Sequence, residues 1–215
     1  RWVLDDVFHY LKINQSDYEE EIEFIKQEHH RRLNGLWICI NGKPTYITGN
    51  HYFYLTYFQL DIGLPEYRSR DRKFFLFSDF CENDPDCVGF VYPKHRREGA
   101  TYKAQCINIC TLMKHTRINT GIQSMTDDHA SEVFLTKLVD PWRELVFFMM
   151  MSWDGQREPK SKLNFATQIG GVFDDKDRAK PTRNVADYKP SNISAYDGQK
   201  LYYYHQDEIG KPKDF

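Results

Sequence analysis

The sequence predicts an α/β protein: a largely parallel sheet flanked by helices, with an antiparallel edge or hairpin, preceded by a helical and hairpin appendage. Three observations carry this. Short apolar runs at VGFVYP (88–93), TGIQSMT (120–126) and LNFATQI (163–169) are separated by stretches of helical periodicity, the pattern of strands joined by crossover helices. Between the first two runs, TYKAQCINICTLMKH (101–115) repeats Ala104, Ile107, Cys110 and Met113 every three residues, and Ile109 and Leu112 widen that stripe into a buried face. Upstream, a capped helix pattern and an Asn-Gly turn stand apart from the strand–helix alternation. No internal repeat or coiled-coil heptad competes with this reading.

Taken in order, SDYEEEIEFIKQEHHRRLNG reads as a helix marked at both ends. Ser16 and Glu19 have capping-box spacing, acidic residues fill the first turn, and His29, His30, Arg31 and Arg32 crowd the last, where positive charge suits the helix dipole. Asn34-Gly35 supplies the stop. Adjacent histidines on a helix point in different directions, so His29-His30 reads as surface charge and not as a metal pair. LWICINGKPTYITG (36–49) predicts a hairpin on Asn41-Gly42, the preferred pair for a type I′ turn, and Pro44 confines its second arm to an edge. Helices follow over 50–60, capped by Asn50, and over 66–80. Beyond the 120–126 strand, Asp127 or Asp128 is expected to cap a helix reaching about Lys137, and Pro141 to open the next. The polar stretch 174–190 reads as a mobile loop, and the last segment as two strand-like runs around Asp197-Gly198.

Composition narrows the function classes. Over 215 residues, 40% hydrophobic and 28% charged content is ordinary for a soluble globular chain, and a net charge of −2 means that any basic surface must be local. Two such stretches exist, YRSRDRK (67–73) and KHRRE (94–98). The many rings (15 Phe, 14 Tyr, 4 Trp) read first as core and interface, and only second as base-stacking platforms. Five cysteines with no CxxC spacing and no signal peptide fit a reducing compartment, and LVFFMMM (145–151) is too short to span a bilayer.

The chemistry concentrates at KHRREGAT (94–101), set between the 88–93 run and a helix. That is the place for a phosphate loop of the form G-x-x-x-x-G-K-[ST]. Gly99 and Thr101 match the second glycine and the hydroxyl, whereas Lys94 stands at the first glycine and Ala100 at the lysine. Lys94, Arg96 and Arg97 offer three cations in place of one lysine, with His95, Glu98 and Tyr102 completing the candidate nucleotide-binding stretch. A nucleotide hydrolase also needs a carboxylate for the metal and another to orient water. KLYYYHQDEIGK (200–211) ends a strand-like run on Asp207-Glu208, which can serve as that pair. Neighbouring His205 reads as strand packing. The competing reading is a plain strand-to-helix turn with a solvated basic edge. No G-x-S-x-G or H-E-x-x-H motif points elsewhere, nor does a cysteine with an identifiable histidine partner.

A Lys/Arg-rich loop ahead of G-x-T resembles the Walker A variant of large terminase subunits, the ATP-driven DNA-packaging motors of tailed bacteriophages. The order of GLWICINGKPTYITGNHYFYLTY, YRSRDRKFFLF, VYPKHRREGATYKA, NTGIQSMTDDHASEVF and DGQKLYYYHQDEIGK is similar to that family over residues 35–211. The two nucleotide motifs are its specific part.

The resemblance implies a P-loop NTPase fold of the RecA-like type, with 1–65 as a lid-like appendage and 66–215 as an ATPase core that stops short of its end and lacks the family's nuclease domain. It implies ATP and Mg²⁺ as cofactors, and assigns Arg96 to the γ-phosphate and Thr101 and Asp207 to the metal. Glu208 becomes the catalytic carboxylate, and Tyr52 and its neighbours fall near the adenine. Lys94 or Arg97 would cover the charge missing at Ala100. The implied partners are double-stranded DNA, a portal protein, a small terminase subunit and copies of the chain in a ring, all in the host cytoplasm. A chain opening at Arg1 reads as a fragment. Two other readings remain: a degenerate, non-hydrolysing nucleotide-fold scaffold that binds DNA or protein, and a helicase-like ATPase on another track.

Overall fold

The computed structural model describes residues 19–93, 98–151, 153–154, 159–165, 182–190, 192 and 194–208. They form two compact units, one running to Ala100 and the other starting at Thr101.

In the first unit, α1 (Glu19–Asn34) has Glu19, Glu20 and Glu21 in its first turn and Arg31 and Arg32 in its last, as the dipole argument expects. Ser16, the expected cap, lies outside the described residues. The helix ends on Gly35, whose φ of +72° is left-handed and whose N–H returns to Arg31 O at 2.8 Å. Only glycine fits there, because a Cβ would stand 2.2 Å from Ile47 O. The hairpin follows as predicted: β1 (Leu36–Ile40) and β2 (Lys43–Ile47) pair antiparallel around Asn41-Gly42, both at positive φ. Next come α2 (Gly49–Thr56) and α3 (Ser69–Asn83), which pack on each other, with α3 also against β2. The cap of α2 is Thr48, whose hydroxyl accepts from His51 N, and not Asn50, which is buried inside the helix.

Two tied groups hold this unit together. Ile47, Phe53, Phe58 and Phe75 form a buried centre, with the His51 ring stacked 5.0 Å from Phe75. Beside it, the buried Glu28 carboxylate accepts hydrogen bonds from Tyr52, Tyr57 and Arg31. Burial pushes that carboxyl up, but the three hydrogen bonds and the Arg31 charge outweigh it and leave it below the ordinary range.

Residues 88–93 were expected to be a strand, and they are not. Val88 and Val91 are exposed, while the rings of Phe90 and Tyr92 pack edge-on against Phe74 at 6.0 and 4.9 Å. The run is apolar because it lays alternate rings on α3. Extended backbone becomes a strand only when it ladders with a neighbour, and 88–93 belongs to neither sheet among the described residues.

The second unit is α/β with a mixed five-stranded sheet. Its strands are β3 (Asn119–Ser124), β4 (Trp153–Asp154), β5 (Lys162–Phe165), β6 (Asn184–Pro190) and β7 (Tyr203–Gln206), in the order β4-β5-β6-β3-β7. β6, β3 and β7 run parallel, and β4 and β5 form the antiparallel margin. The helices are α4 (Ala100–Lys114), α5 (Asp127–Glu132), a π-helical stretch at Val133–Val139 and α6 (Asp140–Arg143), which Pro141 opens as expected. The cap of α5 is Thr126, accepting from His129 N, in place of Asp127 or Asp128. Ile122, Phe134, Leu138, Leu163, Phe165 and Ala186 make the core, and Trp142 sits edge-on to Trp153 and Phe165. Truncating Trp142 to alanine would cost roughly 3–5 kcal/mol.

Two further expectations fail in this unit. The supposed mobile loop contains β6, a strand in the middle of the sheet. Its polar sequence conceals this because Asn184 is buried with its amide fully used: it donates to Leu112 O and His115 O, both at 2.7 Å, and accepts from Ile118 N at 3.0 Å. Those carbonyls belong to the end of α4, where a helix leaves acceptors without intrahelical partners. The second failure is the closing hairpin. The turn at 194–198 exists, with Gly198 at φ +73°, but β7 pairs parallel to β3 and not with the run before the turn. Among the described residues no helix is long and apolar enough to cross a membrane.

Candidate functional site

Of the candidate residues, α4 and β7 bring together Thr101 and Asp207. A parallel sheet directs its loops to the carboxyl ends of its strands, which is where ligands of open α/β sheets bind. β7 ends at that edge and passes into Asp207 and Glu208. The N-terminus of α4 comes to the same place, because Thr101 Oγ1 donates to Asp207 Oδ2 at 3.0 Å across 106 residues of sequence. Asp207 is buried and anchored through its backbone as well, its N–H donating to Gln123 O at 2.9 Å. Glu208 follows at φ +56°, a left-handed conformation that costs a non-glycine residue about 1–3 kcal/mol and tends to occur at functional sites.

At the loop, Lys94, His95, Arg96 and Arg97 lie outside the described residues. Glu98 is held by Arg70 at 3.7 Å and accepts from the Tyr92 hydroxyl at 3.4 Å. Gly99 is exposed at φ +67°, with nothing within 4 Å of where a Cβ would stand. Glycine is there for its backbone conformation, and the space beside it is open. Ala100 is buried as the first residue of α4. The Tyr102 hydroxyl accepts from Lys137 Nζ at 2.8 Å, which ties that ring to the π-helical stretch. Tyr52 spends its hydroxyl on Glu28.

Other polar residues near the carboxyl edge carry no sequence motif. Gln105 Nε2 lies 2.9 Å from His205 Nδ1, Tyr203 donates to Ala104 O at 2.8 Å, and Ser124 at the end of β3 bonds His129 Nδ1. The one available signal was spacing: 203, 205 and 207 alternate onto one strand face, and 101 and 105 share one helix face. Lys103, Gln105 and Asn108 are fully buried beside the apolar stripe, so the buried surface of α4 is wider than its periodicity implies.

No family model matches the chain, and no curated protein does.

The Thr101–Asp207 pair joins a hydroxyl and a carboxylate, hard oxygen donors of the kind that Mg²⁺ accepts alongside phosphate and water. Among the described residues no group of three or more His, Cys, Asp or Glu side chains gathers as a closed metal cage.

Proposed function

We propose that this chain binds and hydrolyses ATP as the motor domain of a large terminase-type packaging ATPase, with a P-loop NTPase core. The observation that supports it best is the Thr101–Asp207 hydrogen bond. It unites the loop-end hydroxyl and the strand-end carboxylate that nucleotide chemistry would require side by side.

In this reading Thr101 and Asp207 hold Mg²⁺, which supplies charge neutralisation on the phosphate oxygens. Gly99 leaves room for backbone N–H groups to face phosphate, Glu208 orients the attacking water, and Arg96 acts on the γ-phosphate. Lys94 or Arg97 supplies the charge absent at Ala100. Work from hydrolysis would then move double-stranded DNA into a procapsid, with a portal protein, a small terminase subunit and a ring of copies as partners, in the host cytoplasm.

Ala100 favours a second reading, a nucleotide fold that binds without hydrolysing and serves as a scaffold for DNA or protein. Mg²⁺-dependent ATP hydrolysis by the wild type, Glu208→Gln and Arg96→Ala separates the two. Turnover reduced by both substitutions supports the motor, and turnover indifferent to both removes the site assignment. Binding without turnover supports the scaffold. Stimulation by procapsids, beyond that by DNA alone, separates packaging from a helicase-like activity.

A further inference from the structure

Gln105 lies one turn beyond Thr101 on the same face of α4 and is fully buried. Its Oε1 accepts from Asn108 Nδ2 at 3.1 Å, so its amide nitrogen faces His205 Nδ1 at 2.9 Å. In this orientation of the Gln105 and Asn108 amides Nδ1 accepts, which corresponds to the Nε2–H tautomer; reversing both amides gives the Nδ1–H tautomer. On β7, His205 is flanked by two further ties to α4. The Tyr203 hydroxyl reaches Ala104 O, and Asp207 receives Thr101. Positions 203, 205 and 207 point to one face of the strand, so three successive rungs join strand to helix.

β7 needs such rungs. It has four residues, it stands at the end of the strand order, and it ladders with β3. Backbone pairing, which continues to the Asp207 N–H on Gln123 O, sets the register of β7 along β3 but not its distance from α4, and a displacement of about an ångström at a reacting centre can cost roughly 100-fold in rate. We propose that His205, held in its Nε2–H tautomer by Gln105, is a positioning residue that sets the distance of Asp207 from Thr101. This rests on the reading of Thr101 and Asp207 as the Mg²⁺ pair, and it identifies what keeps that pair assembled.

Two measurements on the full chain test it. Long-range ¹H–¹⁵N correlation spectra of histidine-labelled protein, with His205 assigned by its loss in His205→Gln, should show the Nε2–H pattern. An Nδ1–H pattern would mean that both amides are reversed, and would overturn the proposal. The second measurement is Mn²⁺ affinity by electron paramagnetic resonance, with a non-hydrolysable ATP analogue present. Gln105→Leu should weaken Mn²⁺ about tenfold, as loss of outer-shell partners typically does. His205→Asn should stay near the wild type, because its Oδ1 stands where Nδ1 does and can accept from Gln105. Wild-type affinity in Gln105→Leu, with affinity lost in Asp207→Asn, sinks the positioning role alone. Wild-type affinity in Asp207→Asn sinks the metal reading, and the positioning role falls with it. If Gln105→Leu does not fold, His205→Leu takes its place: Mn²⁺ about tenfold weaker supports the positioning role, and wild-type affinity overturns it.

Discussion

The two ends of α4 meet the sheet in opposite ways. At the carboxyl end, Asn184 is buried and commits its whole amide to Leu112 O, His115 O and Ile118 N. At the amino end, Thr101 donates to the Asp207 carboxylate, which is followed by Glu208 in a left-handed conformation. Both contacts tie the helix to the sheet, but the first satisfies neutral groups with each other and seals them. The second pairs a hydroxyl with a carboxylate next to a backbone conformation that costs energy. The first kind of contact serves stability; under the nucleotide reading proposed above, the second would serve binding.

The largest expected effect separates these roles at the amino end. Glu208→Gln should lower ATP turnover by about 1000-fold, the range for loss of a group that activates a nucleophile. The midpoint of thermal unfolding should hold or rise slightly, because the side chain sits at the end of the strand. A matching drop in stability would make Glu208 structural. At the sealed end the outcome reverses. Asn184→Ala leaves two carbonyls and one N–H without partners in the interior and should cost about 3 kcal/mol in urea unfolding. Its effect on ATP affinity per folded molecule should be negligible.

Glu28 extends the comparison to the other unit, where a carboxylate is sealed by its own neighbours. Hydrogen bonds from Tyr52, Tyr57 and Arg31 hold its carboxyl below the ordinary glutamate value despite burial. The folded chain therefore releases that proton more readily than the unfolded chain. The resulting stability is complete above the ordinary glutamate range and is lost as pH falls through it toward the lowered folded value. Thermal unfolding followed from neutral pH downward should show this loss, and Glu28→Gln should flatten that part of the profile.

What the sequence disclosed follows the same division. The Asn41-Gly42 turn, the Gly35 stop, the Pro141 start and the 120–126 strand were legible because each depends on local backbone rules or on an apolar pattern. β6 was not, because its key residue is an asparagine whose burial depends on a helix some seventy positions away. The 88–93 run failed for the converse reason: an apolar run announces a paired, buried backbone, and here it supplies two rings that lie edge-on against Phe74 of α3 while Val88 and Val91 stay exposed. The ends of the candidate site could be anticipated from Thr101 and Asp207-Glu208. The middle rung could not, since Gln105 and His205 belong to no motif and become partners only when the strand lies against the helix.

The smallest predicted effect is the one that best tests whether the amino end is built for a ligand. Gly99 and Gly35 are both left-handed, but a Cβ at Gly35 would stand 2.2 Å from a carbonyl oxygen, whereas at Gly99 it would meet nothing within 4 Å. Gly99→Ala should therefore cost only the backbone term, about 1–2 kcal/mol, while Gly35→Ala should cost more because backbone must also move. If the space beside Gly99 receives phosphate, the added methyl occupies it, and ATP affinity measured by calorimetry on the folded protein should fall beyond what the stability loss explains. Unchanged affinity in Gly99→Ala would mean that glycine serves the turn alone. Phosphate recognition would then have to come from side chains, and the amino end of α4 would be left with the Thr101–Asp207 pair as its claim to a nucleotide.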